Sequence, residues 1–168
     1  QLSRNFSSPI STQKFVKTAL RGRPRILAIE STPRNWNTPG SWKSGSVPTG
    51  GDVLIESTWN MMLDTNTATL DTLTIEGRLT FDGSVADLEL HAKVIVIGEN
   101  GELIIGDENT PYPESAKIVL HGASGDTGEQ SGTGIPVVKN GILNKGLIKI
   151  YGDHSRFTEA RLTQGIVN

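Results

Sequence analysis

Cysteine is absent from this chain of 168 residues, and aromatic residues make up only 5% of it. The absence of cysteine excludes a disulfide framework, a thiolate metal site and a cysteine nucleophile. Because aromatic rings are scarce, the core has to be mainly aliphatic. No apolar run approaches the roughly 20 residues of a membrane-spanning helix, so no membrane span is expected. The polar start at Gln1 differs from a secretory signal and suggests a processed, mature terminus.

Charge is unevenly distributed along the chain. Residues 1–25 hold six of the 16 basic side chains and none of the 18 acidic ones, although the net charge is only -2. The N-terminal arm is therefore positive and the rest of the chain acidic. Opposite charges favour contact between these two parts, within one molecule or between neighbours. An acidic body repels phosphate, so no nucleic-acid partner is expected.

The sequence divides into three parts. Residues 1–30 form the N-terminal arm, residues 31–51 a connector rich in Pro, Gly, Asn and Ser, and residues 52–168 a β-rich body. Apolar residues at helical spacing predict a short helix in the arm, and the run at residues 25–30 predicts a strand that is donated to an exposed sheet edge. The residues expected to mediate assembly are Phe15, Val16, Ala19, Leu20, Arg21, Arg23, Arg25, Ile26, Leu27 and Ile29.

The body has the pattern of β-structure. Leu73–Ile75 and Leu79–Phe81 alternate with period two, and Val94–Ile97 is a continuous apolar run that suits a strand buried on both faces. A glycine between polar residues precedes an aliphatic strand at Gly77 and again about 24 positions later at Gly101. Such spacing is typical of β-solenoids, with glycine in the corner conformation that other residues resist. We predict an all-β fold with a glycine-cornered β-solenoid or β-roll-like body; an antiparallel β-sandwich is the alternative.

Several segments, taken in order, resemble the "G-eight" domain, which is named for its eight glycines. They are Trp42–Ile55, Leu73–Phe81, Gly101–Gly106, Ala116–Gly122, Lys145–Gly152 and Phe157–Leu162, and the resemblance covers roughly residues 36–163. This domain occurs in fibrocystin-type proteins and in the cell-migration-inducing and transmembrane hyaluronidases. The resemblance implies an extracellular, β-rich module. In the hyaluronidases the module precedes a long parallel β-helix, where catalysis is thought to reside, so the resemblance implies fold and location rather than activity.

Residues that could carry chemistry are scattered. The histidines, His91, His121 and His154, accompany no nucleophile-elbow Gly-x-Ser-x-Gly motif. Asp64 and Asp71 invite comparison with a carboxylate pair, and residues 107–109 and 153–154 with an oxygen site for a hard cation, but turn positions explain them better. The glycine-rich segment 122–134 lacks the closing Gly-Lys-Ser/Thr of a phosphate loop and is interpreted as an exposed loop. We expect no enzyme activity, no metal site and no cofactor.

Two further features bear on location and ligands. Trp36 and Trp42 are candidates for stacking on glycans, although plugging one end of a solenoid, together with Trp59, is the favoured interpretation. Asn5 lies in the sole Asn-x-Ser/Thr sequon and is a candidate glycosylation site if the chain is secreted.

Together these features predict an extracellular, non-enzymatic structural subunit. It would assemble head-to-tail into a surface or matrix filament, with the basic arm of one copy docked on the acidic body of the next. The alternatives are a glycan-binding or adhesive module, with the arm folded on its own body, and a non-catalytic fragment of a hyaluronan-processing protein.

Overall fold

The computed structural model describes residues 28–122 and 140–153. The described residues contain ten β-strands, one short 3-10 turn at Pro39–Ser41 and no α-helix. The strands are β1 (Arg34–Asn35), β2 (Val53–Ile55), β3 (Asn60–Leu63), β4 (Leu70–Ile75), β5 (Arg78–Phe81), β6 (Leu88–Ile97), β7 (Glu102–Ile105), β8 (Ala116–Leu120), β9 (Gly141–Asn144) and β10 (Leu147–Ile150). The all-β prediction is therefore confirmed.

The strands form two sheets in which every described pairing is parallel. One sheet has the order β1-β3-β5-β7-β10, and the other has β2-β4-β6-β8 with β9 also paired to β6. From β1 to β8 the chain alternates between the two sheets, adding one strand to each in turn. The alternative fold, an antiparallel β-sandwich, has no counterpart in the described residues, because it requires antiparallel pairing.

We call one strand of the first sheet, together with the strand of the second sheet that follows it along the chain, a layer. The core consists of columns of aliphatic side chains that run from layer to layer across each sheet. Strand pairing places Met61, Leu79, Leu103 and Ile148 side by side in one sheet. In the other sheet it aligns Val53, Leu73, Ile95 and Ile142. These columns follow from the period-two alternation of the strands, because in-register parallel pairing keeps every second side chain on the same face. Each added layer extends both columns by one residue.

Strand β6 is twice as long as most of its neighbours and pairs with two strands in succession. Its first half pairs with β8 and its second half with β9, so β8 and β9 lie end to end along one edge. Gly122 and Asn140 are adjacent, since a Cβ on Gly122 would overlap the Asn140 side chain. The end of β8 and the start of β9 therefore lie close together.

The repeated glycines are stacked at the corner that precedes β5, β7 and β10 in the first sheet. A Cβ on Gly77 would lie 2.2 Å from the Glu56 carbonyl oxygen, and one on Gly101 only 2.0 Å from that of Ile75. Neither glycine has a positive φ. The expected reason for these glycines, a corner conformation that other residues resist, is therefore wrong at these positions. The backbones of successive layers approach too closely there for any side chain.

Candidate functional site

Three tryptophans close the N-terminal end of the two sheets. Trp36, Trp42 and Trp59 are all buried, with ring centroids 4.8 Å apart for the first pair and 6.0 Å for Trp42 and Trp59, both edge-to-face. The Trp42 indole donates a hydrogen bond to the Trp36 carbonyl oxygen at 2.8 Å. Edge-to-face packing adds to the burial of large apolar rings. This cluster covers the first residues of the aliphatic columns.

An ion pair braces the tryptophan cluster. Arg34 lies over the Trp59 ring, 4.7 Å from its centroid, and donates two hydrogen bonds of 2.6 Å to the Glu30 carboxylate. The hydrogen bond from Arg34 lowers the pKa of Glu30. The Glu30 N–H also donates to the Thr58 carbonyl oxygen at 2.8 Å. The end of the predicted arm is thus anchored to its own body.

The burial of the indoles bears on the glycan-stacking prediction. Trp36 is 1% exposed and Trp42 is 7% exposed, so neither presents a free ring face. An edge of Trp42 does border a shallow cleft of about 370 Å³ whose other walls include Lys43 and Asp52. Glycan binding at these residues stays a prediction, and their burial favours the structural interpretation.

The opposite, C-terminal end is open. Leu120, Ile142 and Ile150 are 42%, 39% and 59% exposed, although each is aligned with a column of buried residues. In the layer below, for example, Ile95 lies beside Ile142 and is fully buried. The described residues cover these three side chains only in part. A sheet edge with uncovered inward-facing aliphatics is a surface on which another strand can pack.

A groove marks this open end. It has a volume of about 460 Å³ and is lined by Tyr112, Ala116, Ile150 and neighbouring residues. The Tyr112 hydroxyl lies 3.0 Å from the carbonyl oxygens of Asp82 and Val85. Burial raises the pKa of Tyr112, since the phenolate would lose hydration. Tyr112 therefore ties the loop before β6 to the floor of the groove.

The outer face of the second sheet carries pairs of charged side chains between layers. Lys93 on β6 contacts Asp71 on β4, and Lys117 on β8 donates to Glu89 on β6 at 2.7 Å. The hydrogen bond from Lys117 lowers the pKa of Glu89. His91 contacts both the other Glu89 oxygen and His121, a residue 30 positions later. Sequence reasoning missed this histidine pair because only strand register brings the two residues together.

The candidate carboxylates are placed separately. Asp64 accepts a hydrogen bond of 2.8 Å from the Asn37 N–H, and Asp71 lies in β4 rather than in a turn. Asp107 accepts hydrogen bonds from Asn109 and Thr110, which lower its pKa, and this is the predicted turn geometry. Within residues 28–122 and 140–153, no group of three or more His, Asp or Glu side chains could hold a metal ion.

Most of the predicted assembly residues lie outside the described residues. These are Phe15, Val16, Ala19, Leu20, Arg21, Arg23, Arg25, Ile26 and Leu27, together with the glycosylation candidate Asn5 and with His154. Ile29 is described and half-buried, and residues 28–30 do not form part of a strand. The described part of the chain has no helix long and apolar enough to cross a bilayer.

Comparison with protein families identifies the domain. The family model of the G8 domain matches residues 41–163, most of the chain. The chain belongs to the G8 domain family. The resemblance inferred from the order of glycine-led strands is thus confirmed, over nearly the same residues.

Relatives of this G8 domain include very long proteins. Over 111 residues, or 65% of the chain, it is 37% identical to fibrocystin of Canis lupus familiaris, of which it spans 3%. It is 40% identical over 89 residues, or 52% of the chain, to fibrocystin-L of Homo sapiens, of which it spans 2%. The chain therefore corresponds to a small part of these proteins. No solved structure matches it.

Proposed function

We propose that this G8 domain is a non-enzymatic structural module of an extracellular protein. It is a β-solenoid that is closed by tryptophans at its N-terminal end. Its open C-terminal end is the face on which the chain after Asp153 lays further strands. The module then acts as a rigid, end-capped start for a longer stack of parallel layers.

The exposed inward positions of the last layer carry this proposal. Leu120, Ile142 and Ile150 continue columns that are fully buried elsewhere, so covering them with one more layer would remove apolar surface from water. Uncovered, the same residues form an edge that is prone to unwanted pairing. The parallel, in-register sheets supply the template for such a layer.

The path of the chain supports the same occupant. Gly152 forms a parallel bridge with Tyr112, and the Asp153 N–H lies 3.3 Å from the Tyr112 carbonyl oxygen. In the layer below, the residues just after Tyr112 lead directly into β8. Gly152 and Asp153 therefore lie beside the segment that leads into β8. The family match also extends past this point, to residue 163.

The arrangement of charges supports a structural rather than a catalytic role. The polar side chains of the strands pair across layers, as Arg78 does with Glu102 at 2.6 Å. Such pairs fix strand register rather than present reactive groups to a substrate. Incubation of the chain with hyaluronan should release no oligosaccharides. Hyaluronan cleavage that purifies with the chain would overturn the non-enzymatic part of the proposal.

Removal of the last 15 residues tests the structural role. The chain ending at Asp153 should lose about 2–4 kcal/mol of unfolding free energy, since three aliphatic side chains that are about half-exposed would lose the rest of their cover. Its urea m-value should also fall, because less surface is buried on folding. A matched control replaces residues 154–168 by a Gly/Ser segment of equal length and should behave like the truncated chain. Equal stability and equal m-values for all three proteins would contradict the proposal.

The head-to-tail filament is a second candidate for the same open end. It is favoured by the basic arm, by the acidic body and by a strand edge that a neighbouring copy could fill. In this candidate the occupant is the arm of a second copy rather than the following chain. The anchoring of Glu30 on its own body leaves residues 1–27 as the segment that would reach the neighbour.

Light scattering distinguishes the two candidates. If the chain forms a filament, the particle mass should grow with protein concentration and fall with added salt. Deletion of residues 1–27, which keeps the Glu30–Arg34 pair, should leave only monomers. A full-length chain that stays monomeric at high concentration and moderate salt would exclude the filament. It would leave the structural module unaffected, since that depends only on residues after Asp153.

A further inference from the structure

The histidine pair on the outer face of the second sheet has the features of a metal-binding site. His91 Nδ1 and His121 Nε2 are 2.8 Å apart, and the two rings are inclined by only 32°. His91 lies on β6, while His121 directly follows β8, and its N–H is fixed to the Ala92 carbonyl oxygen at 2.9 Å. Strand pairing therefore holds the backbones of both residues in place.

Glu89 sets the tautomer of His91. Its carboxylate lies 3.0 Å from His91 Nε2, so that nitrogen carries the proton and donates it to Glu89. In a neutral ring Nδ1 of His91 is then an acceptor, and the His121 Nε2–H donates to it. Histidines that bind metals almost always donate their second ring N–H to a carboxylate in this way. The carboxylate is itself held by Lys117.

The two ring nitrogens are close enough to share one metal ion. Their separation of 2.8 Å is that of a hydrogen bond between the rings, and two nitrogens at about 2.0 Å from one metal ion are about 2.8–3.3 Å apart. Only a small change in separation is therefore needed, and Cu²⁺ and Ni²⁺ are among the divalent metals that nitrogen ligands bind most tightly. His121 is exposed, so its ring has room to turn until both lone pairs converge on one point.

We infer that His91 and His121 form a two-histidine site for Cu²⁺ or Ni²⁺, with Glu89 as the positioning residue of His91. Water completes the coordination, since no third protein ligand is adjacent among the described residues. When the metal binds, His121 Nε2 loses its proton to solvent, and Nδ1 of the same ring takes one up. His91 Nδ1 and His121 Nε2 then both offer a lone pair to the metal. Bound metal would link β8 to β6 close to Gly122.

Neighbouring charges do not oppose a cation at this position. The charged groups on the same outer face are Lys93, which is paired with Asp71, and Lys117, which is paired with Glu89. The two positive charges are thus balanced by two negative ones.

Metal titration of the full chain tests the inference. Isothermal calorimetry with Cu²⁺, Ni²⁺, Ca²⁺ and Mg²⁺ should give one site for the first two and none for the last two, because imidazole suits the transition metals. His91→Gln and His121→Gln should each weaken Cu²⁺ binding at least tenfold. Glu89→Gln should weaken it about tenfold, in line with the loss of an outer-shell partner. His154→Gln is the matched control and should bind as the unmodified chain does.

Paramagnetic broadening gives an independent location for the site. Substoichiometric Cu²⁺ should selectively broaden the amide signals of residues 89–93 and 120–122 in the NMR spectrum. This measurement uses the unmodified chain, so it stays decisive if a histidine variant fails to fold. Absence of Cu²⁺ and Ni²⁺ binding, or broadening confined to other residues, would overturn the inference. Loss of binding in His154→Gln equal to that in His121→Gln would also overturn it.

Discussion

The two ends of the sheets differ in how well their apolar columns are covered. At the N-terminal end, three indoles and the Arg34–Glu30 pair cover the first residues of the aliphatic columns. At the C-terminal end, the last column residues Leu120, Ile142 and Ile150 are exposed. A stack of parallel layers has a first and a last layer, and each needs a cover of its own.

Only the N-terminal end is covered by residues that lie close to it in the sequence. The tryptophans come from the connector and from the residue before β3, so the N-terminal cap is built from sequence close to the first layers. No comparable aromatic group lies over β8 to β10 in residues 140–153. The C-terminal end is therefore where we propose that further chain packs, and its contrast with the N-terminal end can be tested.

The largest effect is expected at the closed end. Trp36→Ala should lower the free energy of unfolding by about 3–5 kcal/mol, because a fully buried indole leaves a large cavity and uncovers Trp42. Urea unfolding measures the change. Leu54→Ala, at a residue 50% exposed on β2, serves as the control and should cost less than about 1 kcal/mol. Similar losses for the two variants would show that the tryptophans do not cap the stack.

The stability lost when a corner glycine is replaced by alanine should depend on the position of that glycine in the stack of layers. Gly101→Ala should cost about 2–3 kcal/mol, since its methyl group would collide with the Ile75 carbonyl oxygen in the layer below. Gly146→Ala places a methyl group 2.3 Å from the carbonyl oxygens of Gly98 and Gly101, but in a layer with one open side. That layer can shift outwards, so its loss should be smaller. Equal losses in thermal unfolding would mean that the last layer is held as tightly as the inner ones.

Much of this arrangement is predictable from sequence because it depends on local patterns. Alternation places β4 and β5, and the glycine-led segments lie at corners as expected. Strand β9 was not predicted, because Gly141–Asn144 is short and has no clear alternation. The apolar run Val94–Ile97 is the second half of a longer strand, β6, because Ala92 and Lys93 do not interrupt it. The contact of His91 with His121 depends on register between distant strands, which local patterns do not specify.

The energetic coupling between Leu120 and residues 154–168 tests whether the C-terminal end is covered. Leu120→Ala should cost about 1–2 kcal/mol in the full chain, where the proposed layer covers the side chain, and less than about 0.5 kcal/mol in the chain ending at Asp153. Four urea unfolding curves complete this double-mutant cycle. An equal cost in both backgrounds would show that residues 154–168 do not cover Leu120.

A smaller effect is expected from Tyr112 at the floor of the open groove. Tyr112→Phe should cost about 1 kcal/mol, because the Asp82 and Val85 carbonyl oxygens lose a donor. The raised pKa of Tyr112 means that folded protein resists its ionisation while unfolded protein does not. Its contribution to stability is therefore present below pH 10 and is lost as the pH rises through the folded pKa.

Unfolding as a function of pH between 8 and 11 checks this assignment. The unmodified chain should lose stability above pH 10, and Tyr112→Phe should lose less over the same interval. Tyr151→Phe is the matched control, since Tyr151 is only half-buried, and it should keep the alkaline loss. If Tyr112→Phe loses as much stability above pH 10 as the unmodified chain does, other ionisable groups cause the loss.

Amide hydrogen exchange at β8 tests the central claim most directly. The His121 N–H donates to Ala92 on β6, so the alternate amides of Ile118 and Leu120 point to the free edge of β8. If the chain after Asp153 completes this edge, both amides exchange slowly in the full chain and rapidly in the chain ending at Asp153. Rapid exchange of Ile118 and Leu120 in the full chain, with Val119 protected, would contradict the account.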